Sequence, residues 1–126
     1  MVPKDLHYSK EHEWVRIEGG VAIVGITDFA AEQLGDIVFV ELPDIGRTVA
    51  QGEPVGVIES VKAVSDLFCP VAGDIVEVNG ELAGRPELLN TDPFGAGWLL
   101  RVTTSDKGDI DRLLDAAAYE ALTATA

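Results

Sequence analysis

An internal repeat constrains the fold of this chain more than any other feature. Residues 35–47 read G-D-I-V-F-V-E-L-P-D-I-G-R and residues 73–85 read G-D-I-V-E-V-N-G-E-L-A-G-R, so seven of thirteen positions agree without a gap. Two similar β-units within 126 residues indicate two facing sheets related by an approximate two-fold, with one core between them. The repeat therefore predicts a mainly β fold in a single domain, residues 1–126, with its core at about residues 6–105.

Alternation of apolar side chains predicts further strands, with a hairpin at Gly19-Gly20. The predicted strands are residues 14–18, 21–26, 37–42, 54–59, 65–69, 74–78 and 97–102. Thr27 is a good N-cap for a short helix in D-F-A-A-E-Q-L. A C-terminal helix is predicted at about residues 109–122, because apolar side chains recur there at helical spacing.

Composition excludes several functions. The formal charge of −13 disfavours nucleic acid and anionic membranes, and no apolar run has the roughly 18 residues of a membrane span. The single cysteine, Cys69, can form no internal disulfide and no Cys-rich metal cage. His7 and His12 lack further ligands at metal spacing, so we expect no metal. The N-terminus has no export signal, which predicts a cytoplasmic protein, or a matrix protein if the chain is a processed mitochondrial one.

The segment E-S-V-K-A-V-S-D, residues 59–66, joins the two repeat units and contains no Gly, Pro or Asn. Its Lys62 is the sole Lys or Arg between Arg47 and Arg85. We expect Lys62 at the exposed tip of a connection between the two sheets. An exposed amine among carboxylates keeps its proton, so it is poorly suited to nucleophilic catalysis and well suited to covalent loading by a modifying enzyme.

Several short motifs occur in a fixed order along the chain. They are H-E-W at 12–14, G-I-T-D at 25–28, L-G-D-I-V-F-V-E-L-P at 34–43, G-x-x-E-S-V-K-A at 56–63, N-x-D-P-F-G-x-G-W at 90–98 and L-L-D-A-A-A-Y at 113–119. In this order they closely resemble the H-protein family of the glycine cleavage system. The resemblance covers residues 6–119 approximately.

The resemblance implies that Lys62 bears lipoate in amide linkage, within a recognition turn formed by Glu59, Ser60, Val61 and Ala63. It implies a flattened β-sandwich barrel of the lipoyl and biotinyl type, with a short inserted helix and a C-terminal helix. The implied role is a monomeric shuttle rather than an enzyme.

Four kinds of partner enzyme follow from the same resemblance. A pyridoxal-phosphate glycine decarboxylase loads an aminomethyl group, an aminomethyltransferase passes the one-carbon unit to tetrahydrofolate, and dihydrolipoamide dehydrogenase reoxidises the dithiol. A lipoate ligase or an octanoyl- or lipoyl-modifying enzyme would attach the cofactor.

The resemblance also implies that the loaded arm folds back into a cleft near H-E-W and the residues after the turn. His12, Glu13 and Asp66 are the candidates there. A carboxylate held close would keep the amine of the carried group protonated and so protect it.

Three other carriers are alternatives. Biotin carriers have methionines on both sides of the lysine, where this chain has Val61 and Ala63, and lipoyl domains of 2-oxo acid dehydrogenases read D-K-A and are tethered by flexible linkers. A lipoyl relay protein that donates lipoate to other enzymes would have nearly this sequence. Catalysis by Cys69 is not expected, because the residue lies in an apolar strand before Pro70.

Overall fold

The computed structural model describes residues 3–104 and 108–124 of the chain. Within these ranges the β-strands are β1 His7–Tyr8, β2 Glu13–Glu18, β3 Val21–Ile26, β4 Ile37–Glu41, β5 Thr48–Val49, β6 Pro54–Ser60, β7 Val64–Phe68, β8 Gly73–Val78 and β9 Leu100–Thr104. The helices are α1 Asp28–Leu34, α2 Leu88–Thr91, α3 Gly108–Asp111 and α4 Ala116–Ala124, and a 3-10 turn spans Gly80–Ala83. None of the helices in these ranges has the length and apolar character needed to cross a bilayer.

The strands form two antiparallel sheets that share one hydrophobic core. Six strands pair in the order β1-β2-β3-β9-β8-β5, and three pair in the order β4-β6-β7. Val24 and Ile75 reach this core from the larger sheet, and Ile37, Ile58 and Leu67 reach it from the smaller one. The predicted two-layer, mainly β sandwich is confirmed. Among the described residues the layers do not close into a barrel, because both sheets end in edge strands.

The two copies of the repeat lie in different sheets, as expected. The first copy contains β4 of the smaller sheet, and the second contains β8 of the larger sheet. The expectation that residues 59–66 connect the sheets is wrong. The strands on either side of this turn, β6 and β7, pair with each other within the smaller sheet, and the chain changes sheets later, between β7 and β8.

The short helix α1 begins and ends where the sequence indicates. The hydroxyl of Thr27 accepts a hydrogen bond from the Ala30 amide at 3.2 Å, which satisfies one of the free donors at the helix start. Gly35 ends the helix with φ of 80°, a conformation that suits glycine. The predicted capped helix is confirmed.

The predicted C-terminal helix is present as α4, but its predicted bounds of about 109–122 are wrong, because the segment forms two helices, α3 and α4. Leu114 separates them: its amide donates to the Tyr8 carbonyl at 2.7 Å, and its carbonyl accepts from the Tyr8 amide at 2.8 Å. These backbone groups serve a strand-like bridge and cannot also serve a helix. The carboxylate of Asp115 then accepts from the Ala118 amide at 2.8 Å at the start of α4.

Helix α4 covers the outer face of the larger sheet near β1–β3. Its Ala116 and Tyr119 pack in a second hydrophobic cluster with Tyr8, Trp14 and Ile23. Because alternate residues of a strand face opposite sides, this part of the sheet is buried on both faces. The arrangement brings the C-terminal helix next to the start of β2.

Gly25 gives a test of this packing. It pairs with Trp14 across β2 and β3, and a Cβ atom at Gly25 would lie 2.5 Å from carbon atoms of the indole ring. We predict that Gly25→Ala lowers the free energy of unfolding by about 1–3 kcal/mol, because the indole must shift away from its hydrogen bond to the Pro93 carbonyl. Gly20→Ala is the control, since the space around Gly20 is open. Equal denaturant midpoints for the two variants would contradict the prediction.

Candidate functional site

Lys62 lies at the exposed tip of the tight hairpin between β6 and β7. The Ser60 amide donates to the Ala63 carbonyl at 2.8 Å. The Ser60 hydroxyl accepts from the amides of Lys62 at 3.3 Å and Ala63 at 3.0 Å. The serine side chain thus closes a turn that has no Gly, Pro or Asn, and residues 61–64 remain exposed.

The segment that follows α1 supports this turn. The Val61 amide donates to the Asp36 carbonyl at 3.0 Å. Asn90 holds the same segment from the other side: its side-chain nitrogen donates to the Gly35 carbonyl at 2.8 Å, and its side-chain oxygen accepts from the Ile37 amide at 3.0 Å. The hairpin tip therefore rests on a backbone segment fixed at both ends.

The Lys62 side chain starts over the C-terminal end of α1. Its Cε lies 3.2 Å from the position that a Cβ would occupy on Gly35, so the glycine leaves space for the lysine stem. A side chain at Gly35 would crowd the lysine and would also be strained at φ of 80°. The base of any group attached to Lys62 therefore lies next to the C-terminal end of α1.

A groove of about 140 Å³ lies between α1, β7 and the start of β2, and we call it the side groove. Its apolar lining comes from Ile26, Ala30, Leu34, Ile58 and Leu67. The three residues that the sequence analysis proposed for docking of an arm, His12, Glu13 and Asp66, all line this one groove. The structure thus brings together residues more than fifty positions apart in the chain.

Glu13 is the most buried ionisable residue that lines the side groove, with an exposure of 2%. It also lines a neighbouring cavity of about 240 Å³, together with its hydrogen-bond partners Ser9 and Phe68. The Ser9 hydroxyl donates to its carboxylate, and the Phe68 amide donates to it as well. Burial raises the pKa of Glu13 from 4.5 to about 7, and these hydrogen bonds limit the rise. Near neutral pH this carboxyl group is therefore close to half ionised.

His12 is held rigidly above the groove. It has the left-handed φ of 69°, which is unusual for a residue with a side chain. Its Nδ1 lies 2.8 Å from the Tyr119 hydroxyl, which in turn lies 2.7 Å from the Thr27 hydroxyl oxygen. The imidazole also contacts the Phe29 ring at a centroid distance of 4.8 Å. Burial lowers the pKa of His12, which favours a neutral ring.

The two carboxylates on either side of the turn differ in position. Asp66 is exposed and pairs with Val57, whereas Glu59 is half-buried and pairs with Val64. They therefore lie in cross-strand rows two positions apart, with the Ile58–Ser65 row between them, and are not each other's partners. Asp66 also borders the side groove, and Glu59 does not line it.

Cys69 is a core residue, as predicted. It is fully buried, and its thiol donates to the Val71 carbonyl at 3.1 Å. Burial raises the pKa of the thiol to about 11, so it is a poor nucleophile at neutral pH.

Sequence analysis missed three residues that shape this site. Asn90 and Tyr119 lie within the quoted motifs N-x-D-P-F-G-x-G-W and L-L-D-A-A-A-Y, but their contacts with residues 12 and 35–37 require the folded chain. Ser9 offers no such signal. It donates to Glu13 and accepts from the Glu11 amide at 3.2 Å, which fixes the turn before β2.

An exposed lysine on a tight hairpin of a small antiparallel sandwich is the arrangement of carrier proteins of the lipoyl and biotinyl class. Comparisons with known proteins identify the family within this class. The sequence model described as "Glycine cleavage H-protein" matches residues 6–126. The chain belongs to the glycine cleavage H-protein family and has its carrier role.

Similar proteins cover nearly the whole chain. A glycine cleavage system H protein of Symbiobacterium thermophilum is 61% identical over 97% of this chain and 95% of its own length. One from Thermus thermophilus is 56% identical over 94% of this chain and 93% of its own length. The crystal structure of a glycine cleavage system H protein from Mycobacterium marinum has a TM-score of 0.90 and 44% identity, covering 98% of this chain and 99% of that chain.

The raised pKa of Glu13 leads to a prediction about how the stability of the folded protein depends on pH. Glu13 ionises near pH 4.5 in the unfolded chain and near pH 7 in the folded protein. Its favourable contribution to the free energy of unfolding is therefore complete below pH 4.5 and is lost as the pH rises through 7. We predict that Glu13→Gln gains stability relative to the native protein between pH 4.5 and 8. The gain should be about 3.5 kcal/mol at most, from roughly 1.4 kcal/mol per pKa unit over a rise from 4.5 to about 7. Denaturant unfolding at several pH values measures it, and parallel stability curves for the two proteins would contradict the assigned burial.

Proposed function

We propose that Lys62 carries lipoate in amide linkage and that this chain is the non-catalytic shuttle of the glycine cleavage reaction. One observation supports this most directly. Lys62 is exposed on a closed turn, and its stem lies against Gly35 at the C-terminal end of α1, the helix that forms one wall of the side groove. The site thus combines an accessible amine for loading with a groove in which an attached arm can lie.

The lining of the side groove suits a lipoyl chain. The chain has an apolar acyl segment, which Ala30, Leu34 and Leu67 would contact, and a sulfur-containing ring at its end. Glu13 and Asp66 offer carboxylates to a cationic group carried there. When bound, lipoate supplies a disulfide that takes up and releases the aminomethyl group of glycine.

Glu13 is the residue that we propose holds the ammonium group of the carried cargo. When an ammonium group lies within about 4–6 Å of a carboxylate, the pKa of the carboxyl group falls and the pKa of the amine rises. Each group therefore stabilises the charged form of the other. Ser9 and the Phe68 amide already orient the carboxylate. Glu13, assisted by Asp66, would keep the carried amine protonated, and a protonated amine has no lone pair with which to expel a thiolate.

The partners follow from this role. Glycine decarboxylase, aminomethyltransferase and dihydrolipoamide dehydrogenase would each act on the arm, and a lipoate ligase or an octanoyl- or lipoyl-modifying enzyme would attach it to the turn of Glu59, Ser60, Val61 and Ala63. The protein would act as a monomer in the cytoplasm, or in the mitochondrial matrix of a eukaryote. The acidic net charge of −13 suits partners with basic surfaces.

The first prediction of this proposal concerns the attachment site. Protein purified from its native host should carry one lipoyl amide on Lys62, which removes one positive charge. Lys62→Arg keeps the cation and lacks the acceptor amine, so it should fold normally and be inert in glycine cleavage. Intact-mass and peptide-mass measurements decide this, with Lys4→Arg as a control that stays modified and active. A mass that matches biotin, an active Lys62→Arg variant, or lipoylated native protein that is inert in glycine cleavage would refute the proposal.

The second prediction concerns protection of the carried group. After loading with labelled glycine, the aminomethyl group should be lost several-fold faster from Glu13→Gln or Asp66→Asn than from the native protein, since a pKa change of one unit alters the free amine about tenfold. Release of label without the transferase is the measurement. Glu18→Gln is the control, because Glu18 is exposed at the far end of β2. Equal decay in all four proteins would exclude carboxylate protection.

A further inference from the structure

Exposed apolar side chains cluster at the hairpin that carries Lys62. Seven large hydrophobic residues are exposed in the described part of the chain, and four of them are Val38, Phe39, Val61 and Val64. Phe39 is 50% exposed and Val64 is 67% exposed. A contiguous exposed apolar patch on a small protein marks an interaction surface more often than scattered single residues do.

A β-bulge at Val38 turns Phe39 outward. Ile37 pairs with Ser60 and Phe39 pairs with Glu59, so Val38 is an extra residue in β4. Without the bulge, alternation would place Phe39 on the same inner face as the buried Ile37. The bulge reverses the phase of the strand, so that Phe39 is exposed and Val40 returns to the core.

The pairing register defines the outer face of the smaller sheet. Phe39, Glu59 and Val64 pair in one row across strands β4, β6 and β7. Glu41, Val57 and Asp66 pair in the row two positions further along these strands. Cross-strand partners point to the same face, and rows two positions apart share it. The intervening row contains the buried Val40 and Ile58 and faces the core. We call the outer set of Phe39, Val57, Glu59, Val61 and Val64 the tip patch.

The rim of the tip patch is acidic. Glu41, Glu59 and Asp66 lie on the same face, and none of them forms an ion pair within residues 3–104 and 108–124. Arg47 is at the opposite end of β6, where it binds Glu53 at 2.6 Å. In the sequence, Lys62 is the one Lys or Arg between Arg47 and Arg85, and acylation would remove its charge.

We propose that the tip patch is the docking surface for the enzymes that act on the Lys62 arm, and that its occupant is an apolar protein surface rimmed by Lys or Arg side chains. This inference rests on the proposed function and adds to it the surface that those enzymes recognise. The apolar centre supplies contact area, and the three carboxylates select a basic rim and exclude anionic surfaces.

The apolar centre of the tip patch and the side groove lie on opposite faces of the same hairpin, and Asp66 on the edge strand β7 borders both. The groove is lined from inside the sheet by Ile58 and Ser65, whereas the patch uses the outward positions of the same strands. A partner can therefore bind the patch without filling the groove. This separation lets docking precede release of the arm from the groove.

Substitutions in the tip patch, compared with a control substitution of an exposed valine elsewhere, test the proposal. Val64→Thr and Phe39→Ser alter the tip patch, and Val76→Thr alters an exposed valine on β8 of the other sheet. Each protein is first lipoylated, with loading verified by intact mass, and then titrated as substrate in glycine–bicarbonate exchange with purified glycine decarboxylase. We expect Val64→Thr and Phe39→Ser to raise the KM for the carrier at least fivefold with little change in kcat, while Val76→Thr matches the native protein. Glu59→Gln should raise KM less and weaken its dependence on salt, without changing the melting temperature.

Two results would overturn the inference. One is an unchanged KM in both patch variants, with native lipoylation and native activity of the control. The other is that the native protein self-associates in sedimentation measurements, that Val64→Thr abolishes this association, and that the KM for the carrier stays unchanged. The occupant of the tip patch would then be a second copy of this chain. Failure of the proposed function is distinguishable, since native protein from its host would then lack a lipoyl group on Lys62 or, if lipoylated, would not be a substrate in the exchange assay.

Discussion

The hydrogen bond from the Val61 amide to the Asp36 carbonyl ties the hairpin tip to the end of α1, and the geometry of the site depends on it. Asn90 fixes the segment on which the tip rests. Gly35, in that segment, gives the Lys62 stem room to pass over the helix. A turn anchored in this way loses little conformational freedom when a partner binds it, so its exposed residues are suited to recognition.

The second constraint is the burial of Glu13 without a basic partner. Among the described residues no ion pair compensates this carboxyl group, and its high pKa reflects the cost of placing a charge there. A cation brought into the side groove would reduce that cost. Glu13 is thus only partly ionised near neutral pH, and a bound ammonium ion would favour its ionised form. This links the burial of Glu13 to the proposed protection of the cargo.

Much of this architecture follows from short-range sequence patterns. The repeat predicts two layers because its copies have the same strand period, and Thr27 predicts the start of α1 because a hydroxyl satisfies helix amides locally. Lys62 stands out because no other Lys or Arg is near it in the sequence. The features that sequence patterns did not reveal depend on distant contacts. The bridge between Tyr8 and Leu114 divides the C-terminal helix, the bulge at Val38 reverses a strand face, and Asn90 and Tyr119 act on segments more than fifty residues away.

If the loaded arm of Lys62 lies in the side groove, as we propose, the carried group is close to the apolar side chains of the groove. Nuclear Overhauser measurements on protein loaded with carbon-13-labelled glycine test this position. We expect cross-relaxation between the labelled carried group and the side chains of Ile26, Ile58 and Leu67, which line the groove. Sharp signals from a freely moving arm, with no contact to these residues in a fully folded protein, would contradict it.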